Sequence, residues 1–198
     1  MEKPYSPSCE RNQQPILDVL KGIIKDSDKN LLEIGSGNGQ HAVFMAPHFQ
    51  NLTWHTSDMS QNHEGISLWI NDSDSMNIVL PKEYTAGLSE FPQVNADIVY
   101  TANTLHIMSW SHVLSLVKEL GDNLKIGCNI LIYGPFKYAG QFTSLSNAEF
   151  DVSLKNNIPD SGIRDIESLI QTMKDNAMLL IKDHEMPANN RLLEFKRI

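Results

Sequence analysis

Apolar positions along this chain alternate between two spacings. Ile16, Leu17, Leu20, Ile23 and Ile24 recur at three and four residues and mark one helical face, with Pro15 expected in the first turn. Residues 29–34 then read as a short buried strand, broken by Gly35-Ser36-Gly37-Asn38-Gly39. A helix is predicted from about Gln40 and cannot run far past Pro47, which lacks an amide donor. Residues 52–56 read as a second strand closing on Asp58, residues 65–71 as a short helix, and a third strand falls within 78–86. A strand at 97–101 precedes a helix marked by Trp110, Val113, Leu114, Val117 and Leu120, and a fifth strand covers 128–133. Ser146-Asn147-Ala148-Glu149 has the form of a capping box and predicts a helix start. Ile166, Leu169, Ile170 and Met173 stripe a last helix. Strands at about 178–184 and 192–196 close the chain through Pro187-Ala188-Asn189-Asn190, which has hairpin chemistry.

Strands alternating with helices imply an α/β fold with a mostly parallel sheet covered on both faces. The terminal hairpin, with no helix between its strands, adds antiparallel pairing at one side. No repeat, low-complexity tract or linker divides the 198 residues, so residues 1–198 are expected to form one domain.

The bulk numbers narrow the partners. Hydrophobic residues make up 41% and charged residues 20%, an ordinary globular composition. The longest apolar runs are far too short to cross a bilayer, and the first residues lack the basic flank and apolar stretch of a signal peptide. Cys9 and Cys128 lie far apart and form no CxxC, which predicts reduced thiols and a cytoplasmic protein. A formal charge of −8 gives no field to draw the chain onto phosphate backbones, so nucleic acid is disfavoured. The seven histidines match neither HExxH nor a finger spacing, and no metal is expected. Oligomeric state is not legible.

The glycine segment carries the sharpest chemistry. Glycines between a strand and a helix let the backbone double back and approach a ligand without a Cβ in the way. A dinucleotide fingerprint, Gly-x-Gly-x-x-Gly, would place its third glycine at position 40, where this chain has Gln; the third glycine is Gly39. Glu33, two residues before the first glycine, would face a pyrophosphate badly but suits a cationic sulfonium or ammonium. Spacing and charge both favour S-adenosylmethionine (SAM), with S-adenosylhomocysteine (SAH) as product, on Glu33, Gly35, Ser36, Gly37 and Gly39. Asp58, 23 positions after Gly35 and at the end of the second strand, is the candidate for the ribose hydroxyls. It would equally serve as a cap for the helix that follows.

Asn103 and His106 follow the fourth strand, at the carboxyl edge of the sheet where ligands bind in such folds. Asn103 is a candidate for the methionine amino group. His106 is either a catalytic base or a packed histidine bracing its loop. Tyr133 and Phe136 end the fifth strand: Tyr133 is the second candidate base, and either ring walls a substrate pocket or belongs to the core.

Glu33-Ile-Gly-Ser-Gly-Asn-Gly39 resembles the first motif of class I SAM-dependent methyltransferases. Further segments resemble one family across nearly the whole chain: 5–12, 15–17, 37–41, 102–107, 133–136, 142–143, 146–147, 150–151, 162–165 and 186–190. That family is the methyltransferase-like 26 group, also called domain-of-unknown-function family 938. The resemblance implies a Rossmann-like class I methyltransferase fold: a seven-stranded, mostly parallel sheet in the order 3-2-1-4-5-7-6 with a C-terminal antiparallel hairpin. It carries cofactor contacts to Gly35, Gly37, Gly39 and Asp58. The acidic residue often found after the third strand is absent near Ala86-Gly87-Leu88. Residues 1–14, with Tyr5, Glu10, Arg11 and Asn12, are expected to form a lid, Arg11 clamping the cofactor's carboxylate and Tyr5 reaching the substrate. Arg164 and Asn189 are substrate candidates; the alternative readings are an Arg164-Asp165 ion pair at a helix start and asparagines that supply only positive φ. The resemblance implies SAM-dependent methyl transfer and little about the substrate; the acidic charge of the chain points to a small-molecule acceptor, and the alternative is a non-catalytic SAM- or SAH-binding sensor or partner protein.

Overall fold

A computed structural model describes residues 2–198. In chain order its elements are α1 (Pro7–Ile23), β1 (Asn30–Ile34), α2 (Gln40–Met45), β2 (Thr53–Asp58), α3 (His63–Asn71), β3 (Ile78–Glu83), β4 (Ile98–Ala102), α4 (Trp110–Asn123), β5 (Asn129–Gly134), β6 (Phe136–Tyr138), β7 (Gln141–Phe142), α5 (Leu145–Asn157), β8 (Arg164–Asp165), α6 (Ile166–Asp175), β9 (Met178–Met186) and β10 (Asn190–Arg197). Seven strands form one sheet in the order β3-β2-β1-β4-β5-β10-β9, the 3-2-1-4-5-7-6 order implied by the resemblance. Strand β1 pairs in parallel with β2 and β4, and β10 pairs antiparallel with β5 and β9. The turn from β9 to β10 is too short for a crossover, so that pair has to run antiparallel. Strands β7, β6 and β8 form a second, three-stranded sheet, too short for its periodicity to be read in advance. The chain divides into two compact units, Met1–Thr101 and Ala102–Ile198.

In the first unit, Ser6 caps α1 by accepting from the Cys9 amide at 3.4 Å, and Pro7 takes the first helical position. Pro15 therefore lies inside the helix, two turns later than expected, and forfeits the bond its amide would make to the Arg11 carbonyl. Burial of Ile16, Leu17 and Leu20 offsets that loss. Leu31, Leu32 and Ile34 of β1 are in the core, while β3, at the sheet edge, tolerates Pro81.

In the second unit, α4 starts at a Ser109 cap and buries Val113, Leu116, Val117 and Leu120. Helix α5 begins two residues before the expected start, because the hydroxyl of Ser144, not Ser146, accepts the Asn147 amide at 3.1 Å. Its buried residues are polar, Asn147 and Asp151. Asp165 caps α6, accepting from the Ser168 amide at 3.1 Å and from the Gly140 amide at 2.9 Å.

Candidate functional site

The glycine turn is built against the end of β2. The amides of Gly35 and Ser36 both donate to the Ser57 carbonyl, at 2.9 and 3.0 Å, and the Ser36 hydroxyl accepts the Ser57 amide at 3.2 Å. Gly35, Gly37 and Gly39 have φ of 71°, 62° and 90°, the left-handed region that costs other residues roughly 1–2 kcal/mol. Two of them are glycine for different further reasons. A Cβ on Gly39 would lie 3.1 Å from the Cα of Ile66 in α3, so the turn and that helix meet through the missing side chain. A Cβ on Gly37 would meet nothing within 4 Å. Gly37 is exposed, and only a ligand resting on the turn would feel the substitution sterically.

Asp58 closes the turn from the side. Its Oδ2 accepts the Gly37 amide at 2.6 Å, and Oδ1 accepts the Met59 amide at 2.7 Å and the Asn62 Nδ2 at 2.8 Å. A carboxylate has about four acceptor sites, so this one joins the glycine turn to the start of the following segment and keeps acceptor capacity on Oδ2. Of the two sequence readings of Asp58, this bonding is compatible with the hydroxyl acceptor. The helix cap is not formed, because α3 starts after Asn62 with no side-chain cap and Asp58 instead bonds the Met59 amide and the Asn62 side chain.

Glu33 lies beneath the turn, 2% exposed, with Oε2 accepting the Trp54 indole N–H at 2.9 Å. Burial pushes its carboxyl up to about 7, against the pull of the Trp54 and Ser36 hydrogen bonds. A buried carboxyl poised near neutrality beside a glycine turn is a group that a cation would ionise. On the neighbouring helix, His41 Nε2 meets Asn12 Oδ1 at 2.7 Å and Nδ1 meets the Tyr100 hydroxyl at 3.2 Å. Burial holds this imidazole neutral, down to about 4. Arg11 is exposed on α1 with Nη2 on Ser8 Oγ at 3.2 Å, and the exposed Tyr5 donates its hydroxyl to Glu10.

In the second unit, Asn103 adopts φ 59° and donates its amide to the Tyr133 carbonyl at 2.9 Å, so a strained residue stands at the carboxyl end of β4. His106 is 5% exposed, its ring edge-on to Phe150 at 5.3 Å. Burial, with the Arg164 charge second, pushes it down to about 4, so the ring is neutral at ordinary pH. Arg164 donates Nε to the Leu105 carbonyl at 2.9 Å and Nη2 to the Met108 and Asp160 carbonyls. It thus braces the loop that carries His106, and Asp165 is occupied separately as a helix cap. Asp151 supports the same region, accepting the Ile163 amide at 2.7 Å and pairing with Lys155 at 2.6 Å.

Tyr133 and Phe136 are 4% and 2% exposed and pack as core side chains. Asn189 lies in the hairpin turn, where it and Ala188 both have φ 57°. Asn147 Nδ2 ties the Asn189 carbonyl at 3.3 Å and Thr143 Oγ1 at 2.9 Å. The turn borders a hollow of about 420 Å³ lined by Thr143, Glu185, Asn189, Asn190 and Arg191, among others. The register sets Arg191 opposite Gly134, so the hollow flanks the carboxyl end of β5. Among the described residues no group of three His, Cys, Asp or Glu could hold a metal, and no helix is long and apolar enough to cross a membrane.

Several contributors escaped sequence reasoning. Ser57 acts through its carbonyl, and Trp54 and Asn62 reach Glu33 and Asp58 only because strand pairing and a turn bring them there. The one available signal was that Asn12 and Gln40 fall within the family-like segments 5–12 and 37–41.

This strand order, closed by an antiparallel hairpin, is the fold of class I SAM-dependent methyltransferases. Solved structures agree on it. An O-methyltransferase family 2 protein from Planctomyces limnophilus, in complex with apigenin, superposes with a TM-score of 0.81 at 13% identity, covering 96% of this chain and 60% of that one. Human N-acetylserotonin methyltransferase in complex with SAM gives 0.74 at 13% identity, covering 93% and 54%. PigF with SAH gives 0.79 at 11% identity, covering 96% and 64%. The chain thus spans between half and two thirds of the length of these proteins. Residues 3–197 match the family described as "Protein of unknown function (DUF938)", and the chain belongs to that family.

Proposed function

We propose that this chain is a SAM-dependent methyltransferase of a small-molecule acceptor, working in the cytosol as a single domain. The observation that carries the reading is the union of an open glycine turn with an acidic strand end: Asp58 Oδ2 on the Gly37 amide at 2.6 Å, and clear space above Gly37. The methyltransferase-like 26 resemblance and the neighbouring structures with SAM, SAH and apigenin support it. SAM, when bound, supplies an electrophilic methyl group on a cationic sulfur.

The chain's own residues would hold and orient. Gly35, Gly37 and Gly39 let the turn approach the cofactor, Ser36 keeps the turn on Ser57, Asp58 accepts from the ribose, and the Glu33 carboxylate balances positive charge. Asn103 and Arg11 are the proposed partners of the amino and carboxylate ends. Holding acceptor and donor in line is worth roughly 7–11 kcal/mol of barrier without any proton transfer. A base held down to about 4 is a weak acceptor for a hydroxyl proton, since efficient general bases titrate near the working pH. The acceptor that suits this chain therefore arrives already nucleophilic, as a neutral amine or an ionised acid. The hollow beside Asn189 is its proposed seat, with Arg164 and Phe136 supporting that seat from behind. Tyr133 shapes the site, and Tyr5 stands at its entrance.

The test is binding of SAM, SAH and NAD to the purified chain by calorimetry. Asp58→Ala is expected to weaken SAM by about 10- to 100-fold, the worth of one or two charged hydrogen bonds. Saturation by NAD and not by SAM would end the proposal. In this reading His106 takes no proton and shapes the acceptor side of the site, so His106→Ala is expected to cut methylation more than SAM binding, while the parent rate shows no inflection near pH 6.5. Equal losses in rate and affinity would make the residue a brace only. The deep burial of His106 and Tyr133 favours a second reading, a SAM- or SAH-binding sensor without turnover; equal affinity for both ligands and no labelled acceptor in cell extract would select it.

A further inference from the structure

Residues 3–6 form a strap that crosses α3 and ends on the glycine turn. Its track is one stripe along α3 and its C-cap, Gly65, Trp69 and Asp72, spaced by four and three residues. Lys3 pairs with Asp72 and sits 4.5 Å over the Trp69 ring. The Trp69 indole N–H donates to the Pro4 carbonyl at 2.7 Å. Pro4 occupies the place of an absent side chain: its Cγ lies 2.7 Å from where a Cβ on Gly65 would be. At the turn, Asn38 Nδ2 donates to the Pro4 carbonyl at 3.3 Å, and the Ser6 amide donates to Gln40 Oε1 at 2.5 Å. Gln40 Oε1 also accepts from Asn38 Nδ2, while Asn38 Oδ1 accepts the Gln40 amide at 3.1 Å.

Gln40 is nine-tenths buried, yet its carbonyl is spent on the strap and on Asn38. It stands where a dinucleotide fingerprint would have glycine, a residue with no side chain to spend. The strap differs from the helix it leads into. Helix α1 is anchored by Ile16, Leu17 and Leu20 and by Asn12 on His41, whereas Pro4 and Tyr5 are exposed, Pro4 held by two hydrogen bonds to its carbonyl and Tyr5 bonded through its hydroxyl to Glu10 of α1. A segment with few buried apolar contacts opens at low local cost, so the strap can lift at Ser6–Pro7 while α1 stays in place.

Resting on the cofactor reading above, we propose that Gln40 is a positioning residue whose side-chain carbonyl clasps residues 3–6 against the glycine turn, and that opening of this clasp sets the rate at which SAM enters and SAH leaves. Three variants test it. Gly65→Ala raises helix propensity in α3 while driving Pro4 off its seat. Gln40→Met removes the acceptor at similar volume, and Gln40→Glu restores an acceptor. Two readouts are needed: amide exchange at Ser6 without ligand, and the SAH dissociation rate from displacement monitored by tryptophan fluorescence. Faster Ser6 exchange and an SAH off-rate raised about tenfold are expected for Gly65→Ala and Gln40→Met, with parent values returning in Gln40→Glu. Faster exchange with an unchanged off-rate overturns the gating role, and unchanged exchange overturns the clasp. A parent chain that binds neither SAM nor SAH overturns the cofactor reading and this inference with it.

Discussion

Glu33→Gln is expected to stabilise the protein at pH 8 and to weaken SAM binding at the same time. In the folded chain burial holds the Glu33 carboxyl up to about 7, against an ordinary value of 4.5. Because the folded-state value is the higher one, its contribution to stability is complete below about pH 4.5 and is lost as pH rises through 7. The loss by pH 8 is about 3 kcal/mol, taking about 1.4 kcal/mol per pH unit of displacement. Glutamine keeps an acceptor for the Trp54 N–H at 2.9 Å and carries no charge to desolvate. The variant should match the parent at pH 5 and melt about 5–10 °C higher at pH 8.

The same change removes the anion proposed to balance the sulfonium or ammonium. SAM affinity should fall by about 10- to 100-fold, the worth of a charge-assisted contact. The parent should bind more tightly as pH rises towards 7 and then level off, since a cation draws the proton off Glu33; the variant should be flat. Melting curves at both pH values, with calorimetric titrations across the range, check each half. A variant that binds SAM as tightly as the parent would sever Glu33 from the cofactor. Such a trade of stability for a charged group is common where burial serves binding.

The second large effect separates two glycines that look alike in sequence. Gly39→Ala sets a Cβ 3.1 Å from the backbone of Ile66 at φ 90°, so both strain and steric overlap oppose it. A loss of about 2–3 kcal/mol of stability is expected, together with loss of the cofactor site. Gly37→Ala has φ 62° and open space, so only about 1 kcal/mol of backbone strain should appear in the melting curve. SAM affinity should nonetheless drop at least tenfold, because the new methyl group projects where the ligand is proposed to rest. Denaturant melts paired with SAM titrations discriminate the two. Full SAM affinity in Gly37→Ala would mean that no ligand lies on that turn.

Much of the fold was legible because its elements show a period or a bounded apolar run. The α4 stripe repeats a helical spacing, while the apolar runs of β1 and β5 are too short for helices and are bounded by glycine, at Gly35 and at Gly127 and Gly134. Boundaries were less legible where two serines compete for one cap, as Ser144 and Ser146 do, or where a serine-proline step begins a helix ahead of an internal proline, as at Ser6-Pro7 before Pro15. The glycine turn was legible because glycine has no substitute at positive φ. Roles that depend on partners were not. Arg164 could be read as charge reaching a substrate, yet its guanidinium lies on the carbonyls of Leu105 and Met108; Phe136 could be read as a pocket wall, yet it lies in the core.

The order of residues alone determined the class of fold and the place of the glycine turn, and it carries the proposed choice of an adenosyl cation over a pyrophosphate, because period, backbone freedom and formal charge are local properties. Only the tertiary structure decided that Glu33 titrates near neutrality, that His41 and His106 stay neutral and that Gln40 holds the strap. Burial and hydrogen-bond partners are supplied by residues distant in the chain, and no local pattern encodes them.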